Sequence, residues 1–176
     1  GFYDQHMYHP LLVFDGETGQ LVTALLRPGR AHAARGAATI LERLIRAIKH
    51  RCPHAAVVVR GDSAFALPRL LARLEALAAE LGDVHYVIGL AKNSRLLALA
   101  APLCAEAAAE HEATHRFVRR FAWLSYAAAT WPQERSVVLK VEHGERGDNP
   151  RFLVTTLTEF PPGLIYDRAY CPRGQS

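Results

Sequence analysis

Lysine, cysteine and long apolar runs are what this chain has least of. Only three lysines occur, Lys49, Lys92 and Lys140, so arginine carries nearly all the positive charge. Arginine suits bidentate phosphate contacts, but an alanine- and arginine-rich chain also follows from a GC-rich genome, and that explanation suffices for the composition. The three cysteines, Cys52, Cys104 and Cys171, stand far apart, with no Cys-x-x-Cys and no even framework. This excludes a disulfide scaffold and points to a reducing, cytoplasmic compartment, with all three read as small buried hydrophobes. No run of about 18 apolar residues exists, so no membrane span is read. Nothing at the start reads as a signal or transit peptide.

What is present is ordinary globular material. The 176 residues are 50% hydrophobic and 22% charged, with a net charge of +4. That is enough apolar content for one core and one domain. The mildly basic balance permits a polyanionic partner without demanding one. The chain begins at Gly1 without a methionine and ends at Pro172-Arg173-Gly174-Gln175-Ser176 without a capping signal, so both ends read as cuts through a longer protein.

Tyr8–Phe14 and Gln20–Leu26 flank the turn cluster Asp15-Gly16-Glu17-Thr18-Gly19 and read as a β-hairpin. Ala31–Lys49 reads as a helix, with Ala37, Ile40, Leu41, Leu44, Ile45 and Ile48 on one face and Arg35, Glu42, Arg43, Arg46 and Lys49 on the other. Ala55–Arg60 is short, continuous and β-branched, as a central strand buried on both faces would be. Gly61-Asp62-Ser63 leads into a Leu-rich helix through Leu81, with Pro68 in its first turn, Ser63 or a neighbour as its cap and Gly82 at its end. His85–Leu90 reads as a strand and Leu96–Glu110 as a helix. Arg116–Tyr126, Ser136–Val141 and Arg151–Leu157 are β-like, and the tail Leu164–Ser176 begins a helix. The reading is α/β: a mixed sheet flanked by helices, fitting a ribonuclease-H-like core that lacks its first strand and carries a β-rich insertion. Residues 1–112 form the partial core, 113–160 the insertion, and 161–176 the start of the C-terminal core helix region.

Asp62 is the first candidate for chemistry. It ends a buried strand after a glycine, where α/β sheets place functional groups, and a fixed carboxylate there is a good ligand for Mg²⁺ or Mn²⁺. A turn or N-cap aspartate is the plainer alternative. Gly61-Asp62-Ser63 also resembles the nucleophile region of GDS-type esterases, but no aspartate here has a histidine three residues later to complete a triad. His111-Glu112-Ala113-Thr114-His115 matches H-E-x-x-H, the zinc-peptidase pattern, if the helix runs through it. His6 and His9 would point to opposite faces of a strand, so polar contacts suit them better than metal. Arg116, Arg119, Arg120, Arg135, Lys140, Arg146 and Arg151 interleave with Phe117, Phe121, Trp123, Tyr126 and Trp131, which suits either a nucleic-acid surface or a solvated strand face over an aromatic core.

The ordered set of Gly1-Phe2-Tyr3-Asp4-Gln5-His6, Leu26-Arg27-Pro28-Gly29, Val59–Phe65, Tyr86–Asn93, Asn149–Leu157 and Tyr170-Cys171-Pro172-Arg173 covers essentially the whole chain. Together these segments resemble DDE-type insertion-sequence transposases, in the cut-and-paste branch with a Tyr-x₂-Arg-x₃-Glu signature. The resemblance implies an internal fragment of the catalytic domain. Asp62 would be the second of three metal-binding acids, holding Mg²⁺ or Mn²⁺, with two ions in the complete site. The first acid would lie on an upstream strand and the third, a glutamate, just after Ser176. Tyr170 and Arg173 match the signature's Tyr and Arg, which handle DNA, and Arg119, Arg120 and Lys140 would hold phosphates. The partner implied is double-stranded DNA, both transposon ends and target, bound by a homodimer in a synaptic complex in a bacterial cytoplasm. With one acid of three the fragment alone is expected to be inactive. A non-catalytic DNA-binding remnant and a zinc metallopeptidase remain as alternatives.

Overall fold

Asp15 makes the first turn by folding its own backbone back. Its Oδ1 accepts from the amides of Glu17 and Thr18, each at 2.8 Å, and Gly19 takes the positive φ of 71° that closes the loop. The strands on either side, β1 (Leu11–Phe14) and β2 (Leu21–Leu25), pair antiparallel with Leu11 opposite Leu25 and Leu12 opposite Ala24. This computed structural model describes residues 7–172. They divide into two compact units. The first holds the described residues up to Val58 together with Leu67–His85; the second holds Val59–Ala66 and Tyr86–Cys171.

In the first unit, helix α1 spans Ala37–Arg51, six residues later at its start than the periodicity predicts. The cause is Arg27. It is almost fully buried, and its guanidinium donates to the carbonyls of His9 (2.9 Å), His32 (3.2 Å), Ala33 (2.6 Å) and Arg35 (2.9 Å). Carbonyls that converge on one cation cannot lie parallel along a helix axis. Residues 32–36 therefore turn around it, and Gly36 at φ 85° redirects the chain into α1. The inward stripe of α1 runs through Ala37, Ile45 and Lys49. Lys49, expected on the polar face, is thus buried, and its Nζ has no hydrogen-bond partner among the described residues, while Ile48 is exposed.

Helix α2 (Pro68–Leu81) follows its sequence signals, with Pro68 in the first turn and Gly82 after the last. Its N-cap is Leu67, which offers no side-chain bond. Leu70, Leu71, Leu74 and Leu77 face inward. Across α1 and α2 an ion network forms: Arg46 Nε meets Glu42 at 3.1 Å, its Nη atoms grip Glu80 at 2.6 and 2.7 Å, and Arg73 Nε donates to Glu42 at 2.9 Å. The hydrogen bonds from Arg73, then Arg46, hold Glu42 below the usual carboxylate range, and the bonds from Arg46 do the same for Glu80.

The second unit is a sheet with one helix on it. Strand β3 (Val57–Gly61) contributes residues 59–61, and the order is β3-β4-β8-β6-β5, with β4 at Val84–Leu90, β5 at Val118–Tyr126, β6 at Arg135–Gly144 and β8 at Arg151–Thr155. The two-residue β7 (Gly147–Asp148) pairs with β6. β4, β8, β6 and β5 are antiparallel neighbours, in registers such as Ile88 opposite Val154, Val138 opposite Leu153, and Phe121 opposite Lys140. The strands of 113–160 therefore extend the same sheet as β4. β3 stands at the end of the order, not at its centre, and Val58 is exposed. A continuous run of β-branched residues set the first expectation, but such a run reports β-propensity and not how many neighbours a strand has.

Helix α3 (Ser94–Thr114) buries Leu96, Ala100 and Ala107 and packs on β5 and β6. Asn93 caps it, accepting from the Leu96 amide at 2.9 Å. On the sheet, Val87, Val138 and Leu153 join Leu157, Ile165 and Tyr166 in one apolar cluster. Ile165 and Tyr166 belong to a π-helical stretch, Ile165–Tyr170, that continues from the short turn Pro162–Leu164. The cysteine expectation holds poorly: all three are free, but Cys52 and Cys171 are exposed, because each sits just past a helical segment. Cys104 is half-buried, and burial, then the Asp148 charge, pushes its thiol up, away from reactivity. No helix among the described residues is long and apolar enough to cross a membrane.

Candidate functional site

Every residue of the candidate site lies in the second unit. Asp62 follows the last residue of β3 in extended conformation (φ −78°, ψ −175°) and is exposed. Its Oδ1 accepts from the Ala64 amide at 2.9 Å, capping the 3₁₀ turn Ser63–Phe65. The capping role is therefore real, but for this turn and not for α2. It holds the carboxylate against its own backbone and leaves Oδ2 without a protein hydrogen bond among the described residues.

Tyr170 reaches the same place from the other end of the sequence. A Cβ built on Gly89 of β4 would lie 2.6 Å from the Tyr170 hydroxyl oxygen, 3.2 Å from the Ser63 nitrogen and 3.4 Å from the Asp62 carbonyl carbon. The phenol and the Asp62–Ser63 backbone thus meet over a single glycine. Tyr170 also stacks at 5.7 Å from Tyr166, and the Arg60 Nη1 donates to the Ala169 carbonyl at 3.3 Å. Sequence reasoning brought out Asp62 and Tyr170 but passed over Arg60 and Gly89. The signal for Gly89 was there: a lone glycine inside an apolar strand run marks close backbone approach. Arg173, the other signature position, lies outside the described residues, as does His6.

The three cations expected at phosphates do not share one surface. Alternation along β5 and β6 puts Arg119, Phe121, Lys140 and Glu142 on one face and Arg120 on the other. On the first face, Arg119 Nη2 meets Asp167 at 2.6 Å and its guanidinium lies 4.9 Å from the Phe121 ring centre. Lys140 is buried, with its Nζ 2.7 Å from Glu142 and 4.4 Å from the Tyr166 ring centre. On the opposite face Arg120 pairs with Glu110 of α3, yet half of its side chain stays exposed. Tyr126 and Trp131 are buried against each other, edge to face at 5.6 Å, with Arg135 over Trp131. These aromatics are core and offer no platform for bases.

H-E-x-x-H does not assemble either. α3 ends at Thr114, and His115 turns to a left-handed φ of 53°, so the two imidazoles do not share a helix face. His111 Nδ1 lies 2.6 Å from the Arg116 carbonyl, closing the helix end instead. His9, likewise, meets the Ala31 carbonyl at 3.2 Å. Among the described residues no group of three His, Cys, Asp or Glu could hold a metal ion. The zinc-peptidase reading has no site. A divalent metal of the kind the resemblance implies would find one usable oxygen at Asp62 and no three-residue ligand group among the described residues, so these residues do not by themselves fit a metal.

The family comparison decides the assignment. The family Transposase DDE domain group 1 matches residues 1–176, the whole chain. The chain belongs to the DDE transposases. Comparison with curated proteins and with solved structures returned no match. Membership gives the chain a place in an enzyme family whose partner is DNA, on a mixed α/β scaffold with a strand-rich second half. Within this DDE domain Asp62 is an exposed acid at the end of β3, and Tyr170 stands beside its backbone.

Proposed function

We propose that this domain works in metal-dependent DNA strand cleavage and strand transfer of an insertion sequence, in the branch with the Tyr-x₂-Arg-x₃-Glu signature. Asp62 supplies one carboxylate of a metal-holding set, with Mg²⁺ or Mn²⁺ as the ion, and the other acids of that set lie outside the described residues. One observation carries the reading: the backbone of Asp62, an exposed acid at the end of β3, and the Tyr170 hydroxyl meet over Gly89. These two residues are 108 positions apart in sequence, and helix capping alone gives no reason for their meeting. A carboxylate oxygen without a protein hydrogen bond among the described residues is one of the several oxygen ligands a hard cation takes. In the complete enzyme Asp62 would be one of the residues holding such an ion, which would supply Lewis-acid chemistry at a phosphate.

The terminal position of β3 supports a ribonuclease-H-like core without its first strand, because such a core presents this strand with a free edge. Arg119 and Arg120 are the cations proposed to meet DNA phosphates, Arg120 being the more exposed. The buried Lys140 serves the domain by neutralising Glu142. Synaptic pairing of two copies on DNA belongs to the same proposal.

A second reading, a DNA-binding remnant without chemistry, is favoured by the lack, among the described residues, of any group of three His, Cys, Asp or Glu able to hold a metal. One experiment separates the two. In the full-length transposase, Asp62→Asn is expected to lower Mg²⁺-dependent cleavage of transposon-end DNA by at least about a thousandfold while DNA binding and the thermal transition stay unchanged. Cleavage at the wild-type rate by Asp62→Asn removes Asp62 from the chemistry. No cleavage by the wild-type enzyme supports the remnant.

A further inference from the structure

The π-helical stretch and the glycine of β4 together have a consequence for how the site is held. A π-helix closes one more residue per hydrogen bond than an α-helix, and its wide turn persists only where surrounding structure holds it; such turns are frequent at functional sites. Here Ile165–Tyr170 ends in Tyr170, with the Cys171 amide donating back to the Tyr166 carbonyl. A carbonyl near a helix end has no partner within the helix. That of Ala169 receives the Arg60 guanidinium, from β3, two residues before Asp62. On β4, next to β3 in the sheet, the absence of a side chain at Gly89 leaves the space the phenol hydroxyl occupies.

We infer that Arg60 and Gly89 are positioning residues that seat the Tyr170 phenol beside the Asp62 backbone, so that the tyrosine and the carboxylate meet the same nucleotide of DNA. This rests on the function proposed above for its substrate, but its geometry is independent of that function. Arg60 ties the turn carrying Tyr170 to the strand carrying Asp62. Gly89 fixes how closely the two approach. A methyl group there would sit 2.6 Å from the hydroxyl oxygen and 3.2 Å from the Ser63 nitrogen. The first neighbour is the far end of a side chain and the second is backbone, so the hydroxyl yields first.

A double-mutant cycle on the chain reads this directly. Gly89→Ala is expected to reduce the folding equilibrium constant about tenfold, and by less than about threefold in a Tyr170→Phe background, where the colliding oxygen is gone. Equal losses in both backgrounds overturn the seat. The functional arm uses cleavage by the full-length transposase at saturating DNA. Arg60→Met is expected to lower kcat about tenfold with KM unchanged, and Arg60→Lys, which keeps a donor for the Ala169 carbonyl, to recover most of it. Equal activity of Arg60→Met and wild type, or no recovery with lysine, overturns the tether. If Gly89→Ala does not fold, the Arg60 pair decides. Wild-type cleavage by Asp62→Asn would instead sink the proposed function while leaving the stability cycle intact.

Discussion

Two antiparallel strand pairs in this molecule are built from the same kinds of residue and end in opposite conditions. In the β6–β8 pair, Val137, Val138, Leu139, Phe152, Leu153 and Val154 are all buried. In the β1–β2 hairpin, Leu12, Phe14, Leu21 and Val22 are each more than two-fifths exposed. β-propensity and alternation are similar, so the difference is in what covers each face. β6 and β8 have strands on both sides and an apolar cluster against them. β1 and β2 have only each other in their sheet, and a lone two-stranded pair is marginal in water. A hydrophobic strand pattern therefore tells where a strand forms, not how much stability it supplies.

The largest effect should come from breaking the well-covered pair. Leu153→Ala, at 1% exposure, is expected to cost about 2–5 kcal/mol in urea unfolding, whereas Leu12→Ala, at 46%, stays within about 1 kcal/mol. Similar losses at the two sites would mean that the hairpin is as firmly covered as the sheet.

A smaller effect sharpens the comparison within the first unit, where a single cation does the work that packing does elsewhere. Arg27→Met leaves four carbonyl contacts without their donor, and a loss of about 3 kcal/mol is expected, together with faster hydrogen exchange in residues 31–36. Unchanged exchange there would separate the late start of α1 from Arg27.

The α1–α2 ion network should respond least, and to pH. Glu42 and Glu80 are held below the ordinary carboxylate value in the folded protein. Their contribution is therefore complete above about pH 4.3, the unfolded value, and fades as pH falls through the folded values. Exchange protection of α1 and α2 should drop in that acid range and with added salt, and Glu42→Gln should flatten both responses. An unchanged acid profile in that variant would assign the loss to other groups.

How much of this was legible in the residues differs by feature. The hairpin turn, α2 between Pro68 and Gly82, and β4 announce themselves through local chemistry that acts on its own backbone. Asp62 stood out because a glycine and an acid end a β-branched run. The family was legible from an ordered set of short segments, and the match over the whole chain agrees with it. The late start of α1 was hidden, since Ala31–Arg35 continue the helical pattern and the break comes from their spatial convergence on Arg27 and the left-handed Gly36. Lys49 was hidden for a similar reason: a lysine at an inward position looks polar until the helix is placed. β3's place at the end of the sheet, the π-turn that delivers Tyr170, and the split of Arg119 and Arg120 onto opposite faces all depend on pairing between distant segments.

The measurement that reaches the central claim most directly is a metal swap at Asp62 in the full-length transposase. A thiolate in place of the carboxylate is a poor ligand for Mg²⁺ and a better one for softer Mn²⁺. Asp62→Cys is expected to leave cleavage of transposon-end DNA at background in Mg²⁺ and to restore a substantial part of it in Mn²⁺, with DNA binding equal in both. Equal cleavage by Asp62→Cys and wild type in Mg²⁺, or no gain on changing to Mn²⁺, would contradict a role for Asp62 in holding the metal.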